Sequence, residues 1–241
     1  MDPQGQLGKV LGLEVRRPRR TAIELLLDEV LGEPANRGAS LDDRPRGLPL
    51  VPTRIPRLDV IVANKSLALF PGFGAADDGG DPTRRLADRL DGSRELADYD
   101  FVLFDAPPSF GPLTLNVLRA SDEVVIPVPL TFLALDGCAE LVRTIEMVRT
   151  RYGHSRLRIS MVIPTFYRRT RLAHEILEQL KRRFPKEIAH TVVGYSVKVD
   201  EAQSRGLSIL EYAPNHRAAK TMAALAEELE ARGKPTSGTS E

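Results

Sequence analysis

Tyr99-Asp100-Phe101-Val102-Leu103-Phe104-Asp105-Ala106-Pro107-Pro108-Ser109 is the stretch on which the fold reading turns. Phe101 to Phe104 is a short continuous apolar run, the pattern of a strand covered on both faces. It delivers one carboxylate, Asp105, to its carboxyl end, and two prolines then fix the turn and suppress helix there. Ligands of open α/β sheets bind outside the carboxyl ends of the strands, which makes Asp105 the first candidate for chemistry. A strand followed by an aspartate fits a turn or a helix cap equally well. Asp-Ala-Pro-Pro-Ser followed by Leu113-Thr114-Leu115-Asn116 is far more specific.

Outward from this stretch, strands and helices alternate. Leu58 to Ala63, Glu123 to Val128, Leu157 to Ile163 and Ile188 to Val193 are apolar and strand-like. Helices are expected over Thr21 to Leu31, after a cap at Asp81 with Pro82 in first position, and over Leu113 to Arg119, Leu133 to Arg151, Arg171 to Arg183 and Asn215 to Arg232. Thr21 and Glu24 have capping-box spacing, and Asn215 suits an N-cap. Asn36 to Pro56 and Pro71 to Pro82 are rich in turn formers and are expected as loops. The alternation predicts an α/β fold, a mostly parallel sheet with helices on both faces. One domain is expected over 1–232, with a disordered polar tail over 233–241.

Composition narrows the functions. The 241 residues are 42% hydrophobic and carry a net charge of only +1, so nucleic-acid binding would need a local basic patch. A single cysteine, Cys138, excludes an internal disulfide or a cysteine metal cage and suits a reducing cytoplasm. No apolar run has the length of a membrane span. With no tryptophan and 5% aromatics, stacking on exposed bases is not expected as a main mode. Four histidines lack metal-ligand spacing.

Tyr99 to Val128 resembles the Walker B region and following strand of the ParA/Soj-type chromosome or plasmid partitioning ATPases, a deviant Walker P-loop family. The resemblance continues in order along the chain. Phe132-Leu133-Ala134-Leu135-Asp136-Gly137 is similar to the family's nucleotide-sensing switch segment, and Arg169-Thr170-Arg171-Leu172 to a helix start that follows a strand end. Ser196-Val197-Lys198-Val199-Asp200-Glu201-Ala202 and Glu211-Tyr212-Ala213-Pro214-Asn215-His216-Arg217 match two further motifs. At the beginning, Asp2-Pro3-Gln4-Gly5 matches the end of the family's Asp-x-Asp-Pro-Gln-Gly. The likeness implies an ATP- and Mg²⁺-dependent dimer switch that binds DNA without sequence preference and answers to a ParB-type centromere-binding partner. It implies that Asp2 positions or activates the attacking water and that Asp105 supports Mg²⁺, directly or through water. Phe132, Ala134 and Gly137 would lie in the switch, and Arg169, Lys198, Arg205 and Arg217 would contact DNA. A cytoplasmic, nucleoid-associated location follows from the same likeness.

The sequence departs from the family in one decisive way. No Gly-x-x-x-x-Gly-Lys-[Ser/Thr] occurs anywhere in it. The family's first strand, phosphate-binding loop and first helix would precede Asp2. Those backbone N–H groups and lysines cradle the phosphates, so no useful ATP affinity is expected without them. A late start or a lost upstream segment is the favoured reading of this gap, because removing a central strand leaves buried backbone groups unpaired. Val193-Gly194-Tyr195-Ser196 and Gln203 also depart from the motif that lies beside the base.

Charge placement supplies a second, independent signal. Arg168, Arg169 and Arg171 stand at a helix N-terminus, where the dipole disfavours cations, whereas Lys181, Arg182 and Arg183 at its C-terminus suit the dipole. The first group therefore reads as a phosphate-contacting surface. The competing reading is a non-enzymatic DNA- or partner-binding module of the same family. A MinD-type protein is a third, disfavoured by the polar end of the chain, where a membrane-binding amphipathic helix would be required.

Overall fold

The computed structural model describes residues 6–11, 13, 21–26, 47–65, 67, 81–107 and 111–233. The chain divides into two compact units, Met1–Ser121 and Asp122–Glu241. Together their described elements form an α/β fold in which a parallel strand pair is accompanied by helices.

In the first unit, helix α1 (Gln6–Val10) precedes a 3₁₀ turn at Ala22–Leu25, and strands β1 (Leu50–Pro52) and β2 (Asp59–Ile61) pair antiparallel. The strand β1 corrects the expectation of an unbroken loop from Asn36 to Pro56. Its flanking prolines conceal the apolar pair Leu50-Val51, and proline is tolerated in such a two-stranded edge. Thr53 stabilises the turn between the strands: its hydroxyl donates to the Leu58 carbonyl at 2.7 Å and accepts from the Ile55 N–H at 3.1 Å. Helix α2 (Arg85–Leu90) and helix α3 (Pro112–Arg119) follow. Asp81 does cap, but it caps the turn ahead of the helix: its carboxylate accepts from the Thr83 N–H at 2.9 Å, and α2 begins later than Pro82. A core of Ala22, Ile23, Leu25, Leu26, Leu67, Leu86 and Val117 is lined by Leu90, Phe104 and Leu113.

Asn116 holds α2 and α3 together. It is fully buried, its side-chain oxygen accepts from the Leu86 N–H at 3.1 Å, and its amide donates to the carbonyls of Pro82 at 2.9 Å and Pro112 at 3.0 Å. Replacing it with an apolar residue would leave buried backbone groups unpaired, at about 1–3 kcal/mol each.

The second unit is organised on strands β3 (Glu123–Pro129) and β4 (Arg158–Thr165), which run parallel with one register irregularity between Val124 and Val125. Ser160 to Pro164 are all buried, as an interior parallel strand requires. Beyond β4 the chain adds only single parallel bridges, Val162 with Ile188 and Tyr167 with Gly194, where a strand was expected over Ile188 to Val193. Helix α4 (Ala134–Arg151) packs on β3 and buries Cys138, Ile145 and Val148. Helix α5 (Arg171–Arg183) has the expected bounds; the Thr170 hydroxyl caps it by accepting from the Ala173 N–H at 3.2 Å. Helices α6 (Val197–Ser204), α7 (Ile209–Tyr212) and α8 (Arg217–Gly233) complete the unit.

Leu225 and Leu229 of α8 pack on Met161, Ile163 and Ala189. A polar latch fixes that packing. The Glu228 carboxylate accepts from the N–H groups of His190 at 2.9 Å and Thr191 at 3.0 Å, while Arg232 donates to the carbonyls of Glu187 and Ile188 at 2.8 Å each. At the start of α8 the cap falls on His216, whose Nδ1 accepts from the Ala218 N–H at 3.2 Å, one residue later than Asn215. No described helix is long and apolar enough to cross a membrane.

Candidate functional site

Two groups of expected site residues fall in different units. Asp105 belongs to the first, and Asp2 lies outside the described residues. Phe101 to Phe104, expected as a strand, belongs to no strand ladder among the described residues. Phe101 is 51% exposed, Val102 45% and Leu103 75%, and only Phe104 packs on the core. A strand is defined by its partners' edges, which apolar sequence alone does not supply. Asp105 therefore sits exposed at the end of an irregular segment. Among the described residues no three His, Cys, Asp or Glu side chains gather into a metal site. With no glycine-lysine loop in the sequence and one exposed carboxylate, these residues by themselves do not make a cradle for ATP and Mg²⁺.

In the second unit, the three connections that leave the carboxyl ends of the parallel segments are stitched side by side. The Leu130 N–H donates to the Thr165 carbonyl at 3.0 Å, the Tyr167 N–H to Val193 at 3.1 Å, and the Tyr195 N–H to Tyr167 at 3.2 Å. The first connection carries the expected switch residues. Phe132 and Leu133 are 70% and 76% exposed, Ala134 opens α4, and Gly137 is exposed on its first turn. The second connection holds Phe166 at φ 53°, a left-handed conformation that costs a bulky residue about 1–3 kcal/mol. The third carries Tyr195, whose ring lies 6.4 Å from that of Phe166.

Basic residues crowd this rim. The Arg168 guanidinium lies 4.5 Å from the Tyr195 ring centre, and the Tyr195 hydroxyl is 3.4 Å from the Asp200 carboxylate on α6. Arg169 is exposed in the turn before α5, and Arg171 pairs with Glu175 at 2.8 Å. The next cluster joins two expected DNA contacts. Lys198 and Arg205, from the start of α6 and just past its end, lie over one ring, that of Tyr212, at 5.8 and 4.7 Å. Glu201 completes it, accepting from Lys198 Nζ at 2.7 Å and from the Tyr212 hydroxyl at 2.8 Å. The Lys198 hydrogen bond, followed by that of Tyr212, holds the Glu201 carboxyl below its ordinary range, and Glu201 raises Lys198 in turn. Arg217 is exposed at the start of α8.

The sequence named Lys198 and Arg205 as candidates, and the structure adds Tyr212 and Glu201, which gather them. The i,i+3 spacing of Lys198 and Glu201 was a readable signal for the pair; the Tyr212 contact was not, because it depends on the turn between α6 and α7. Cys138 is buried on α4, and that burial pushes its thiol up, as befits a packed and unreactive residue.

A family model described as "AAA domain" matches residues 1–159. The chain is 31% identical over 238 residues to the chromosome partitioning protein ParA of Myxococcus xanthus, covering 98% of this chain and 77% of that one. It is 31% identical over 235 residues to the sporulation initiation inhibitor protein Soj of Bacillus subtilis, covering 97% of this chain and 85% of that one. Among solved structures, cobyrinic acid a,c-diamide synthase from Mycobacterium smegmatis with bound ATP analog and magnesium shares the fold at a TM-score of 0.64 and 24% identity, over 98% of this chain and 84% of that one. The motifs that run in order from Tyr99 to Arg217, the parallel α/β fold and these matches together show that the chain belongs to the ParA/Soj family of chromosome-partitioning ATPases.

Proposed function

We propose that this protein serves DNA partitioning by holding duplex DNA, without sequence preference, on the basic rim of its second unit. The observation that carries the reading is the gathering of Lys198 and Arg205 on the Tyr212 ring, beside a helix start that bears Arg168, Arg169 and Arg171. Cations at a helix N-terminus work against the dipole, so a phosphate ligand is the natural reason for them. The net charge of +1 means that this local patch, and no overall field, must draw the DNA.

Within the family's mode of action, the protein would be a nucleotide-dependent dimer switch regulated by a ParB-type partner and placed on the nucleoid. Phe132, Ala134 and Gly137 are the segment in which such a switch would act. Where a glycine-lysine loop accompanies them, Asp105 would support the magnesium of ATP and Asp2 would orient water. The second reading is a module that holds DNA or a partner without hydrolysis.

Fluorescence anisotropy with a labelled duplex, titrated across salt concentrations, tests the DNA reading. Wild-type protein is expected to bind unrelated duplex sequences alike. Arg169→Ala should weaken all of them and flatten the dependence of log K on log salt by about one unit. No binding of any duplex at low salt would reject the reading, and an unchanged slope would remove Arg169 from the surface.

A further inference from the structure

We infer that Glu201 is a built-in competitor of the DNA phosphate, restraining the affinity of the Lys198–Arg205–Tyr212 cluster. The inference rests on the DNA reading above and assigns the regulation of that same surface. Lys198 and Arg205 are like charges held over a single ring. Such an arrangement repels itself, and a nearby carboxylate offsets the repulsion. Glu201 is that carboxylate, and it is held from two helices: Lys198 of α6 donates to it at 2.7 Å and the hydroxyl of Tyr212 on α7 at 2.8 Å. Its side chain and that of Lys198 are both partly open to solvent, 37% and 47%. A phosphate oxygen can therefore reach Lys198, but it must displace Glu201 to pair with the ammonium. A glutamate is ionised at neutral pH, so the competitor is charged there. Tyr212 keeps the carboxylate at the cluster once Lys198 has been surrendered, so the exchange is readily reversed. The consequence is a surface that binds duplex DNA weakly enough to let go of it.

Glu201→Gln isolates the effect, because the amide oxygen still accepts from the Tyr212 hydroxyl while the charge is gone. The variant should bind labelled duplex about two- to fivefold more tightly than wild type near physiological salt, the range an exposed ion pair can withhold. Its salt slope should steepen by about one unit as Lys198 takes up a phosphate. Lys198→Gln in the same background should erase the gain. Glu178→Gln adds the same charge beside Lys181 at the far end of α5 and should leave the wild-type slope unchanged. Circular dichroism and thermal melting of each variant confirm that the fold is retained. Binding by Glu201→Gln near physiological salt, where wild type binds measurably only at lower salt, supports the inference. If wild type binds and Glu201→Gln matches it, the competitor role fails while the DNA reading stands. If neither binds any duplex, both fail. A gain that persists in full without Lys198, or one reproduced by Glu178→Gln, assigns the effect to net charge and overturns the proposal.

Discussion

Burial and hydrogen bonding pull the Asp81 carboxyl in opposite directions. Desolvation pushes it up, but hydrogen bonds from Arg119 and from the Thr83 hydroxyl and N–H outweigh that and hold it down to about 2, against an ordinary 3.8. A carboxyl depressed in the folded state contributes stability that is fully present above its unfolded value and is lost as pH falls toward the folded one. Acid unfolding of wild type should therefore steepen between about pH 4 and 2, and Asp81→Asn should remove that component, so that the variant loses less stability across the window than wild type does. Urea midpoints measured at pH 5 and pH 2.5 check this; equal acid losses in both proteins would refute it. Thr83 is a local partner two residues on, within reach of the sequence, whereas Arg119 approaches Asp81 only once α3 is laid beside the turn before α2. Asn116 resembles Arg119 in this. Its place in the motif Leu-Thr-Leu-Asn was legible, yet its three backbone partners come from α2, the preceding turn and its own helix.

Local signals set the element boundary at some helix starts, though not at Asp81 or Asn215, where the expected caps were displaced. Helix α5 begins at Arg171 because Thr170 caps it, and α3 begins at Pro112 because a proline has no N–H to satisfy there. Helix α7, which carries the ring beneath Lys198 and Arg205, is only one turn long and depends on its cap. Ser208 and Glu211 form a reciprocal capping box, the Ser208 hydroxyl accepting from the Glu211 N–H at 3.2 Å and the Ser208 N–H donating to Glu211 Oε2 at 2.9 Å. Ser208→Ala should cost about 1 kcal/mol of stability, a loss of the size measured for such caps. Hydrogen exchange at the amides of Leu210 to Tyr212 should accelerate more than at β4. Uniform acceleration across the unit would show that the box does not act locally. The spacing Ser-x-x-Glu was visible in the sequence at this point, whereas Phe101 to Phe104 shows the converse. There the apolar pattern of a strand was unmistakable, and the ladder that makes a strand was absent among the described residues.

At the scale of the whole molecule, the expectation concerns the 241 residues by themselves, which contain no glycine-lysine loop. Calorimetric titration with Mg-ATP should show no saturable binding; a micromolar dissociation constant would mean that other residues replace the loop. Removing Glu228, whose carboxylate joins α8 to the loop after Ile188, offers no such functional signature, since the latch acts on packing alone. Membership of the ParA/Soj family, the α/β class and the presence of a parallel sheet were determined by the order of residues, because motif strings and apolar periodicity are local properties of the chain. Tertiary structure alone decided that Lys198 and Arg205 share the ring of Tyr212, that Glu201 joins Lys198 to the Tyr212 hydroxyl, and that Asp105 lies exposed on a segment outside the strand ladders of the described residues. These depend on contacts between residues far apart along the chain or across a turn, and the free energy of such contacts exists only when the packed elements bring both partners together.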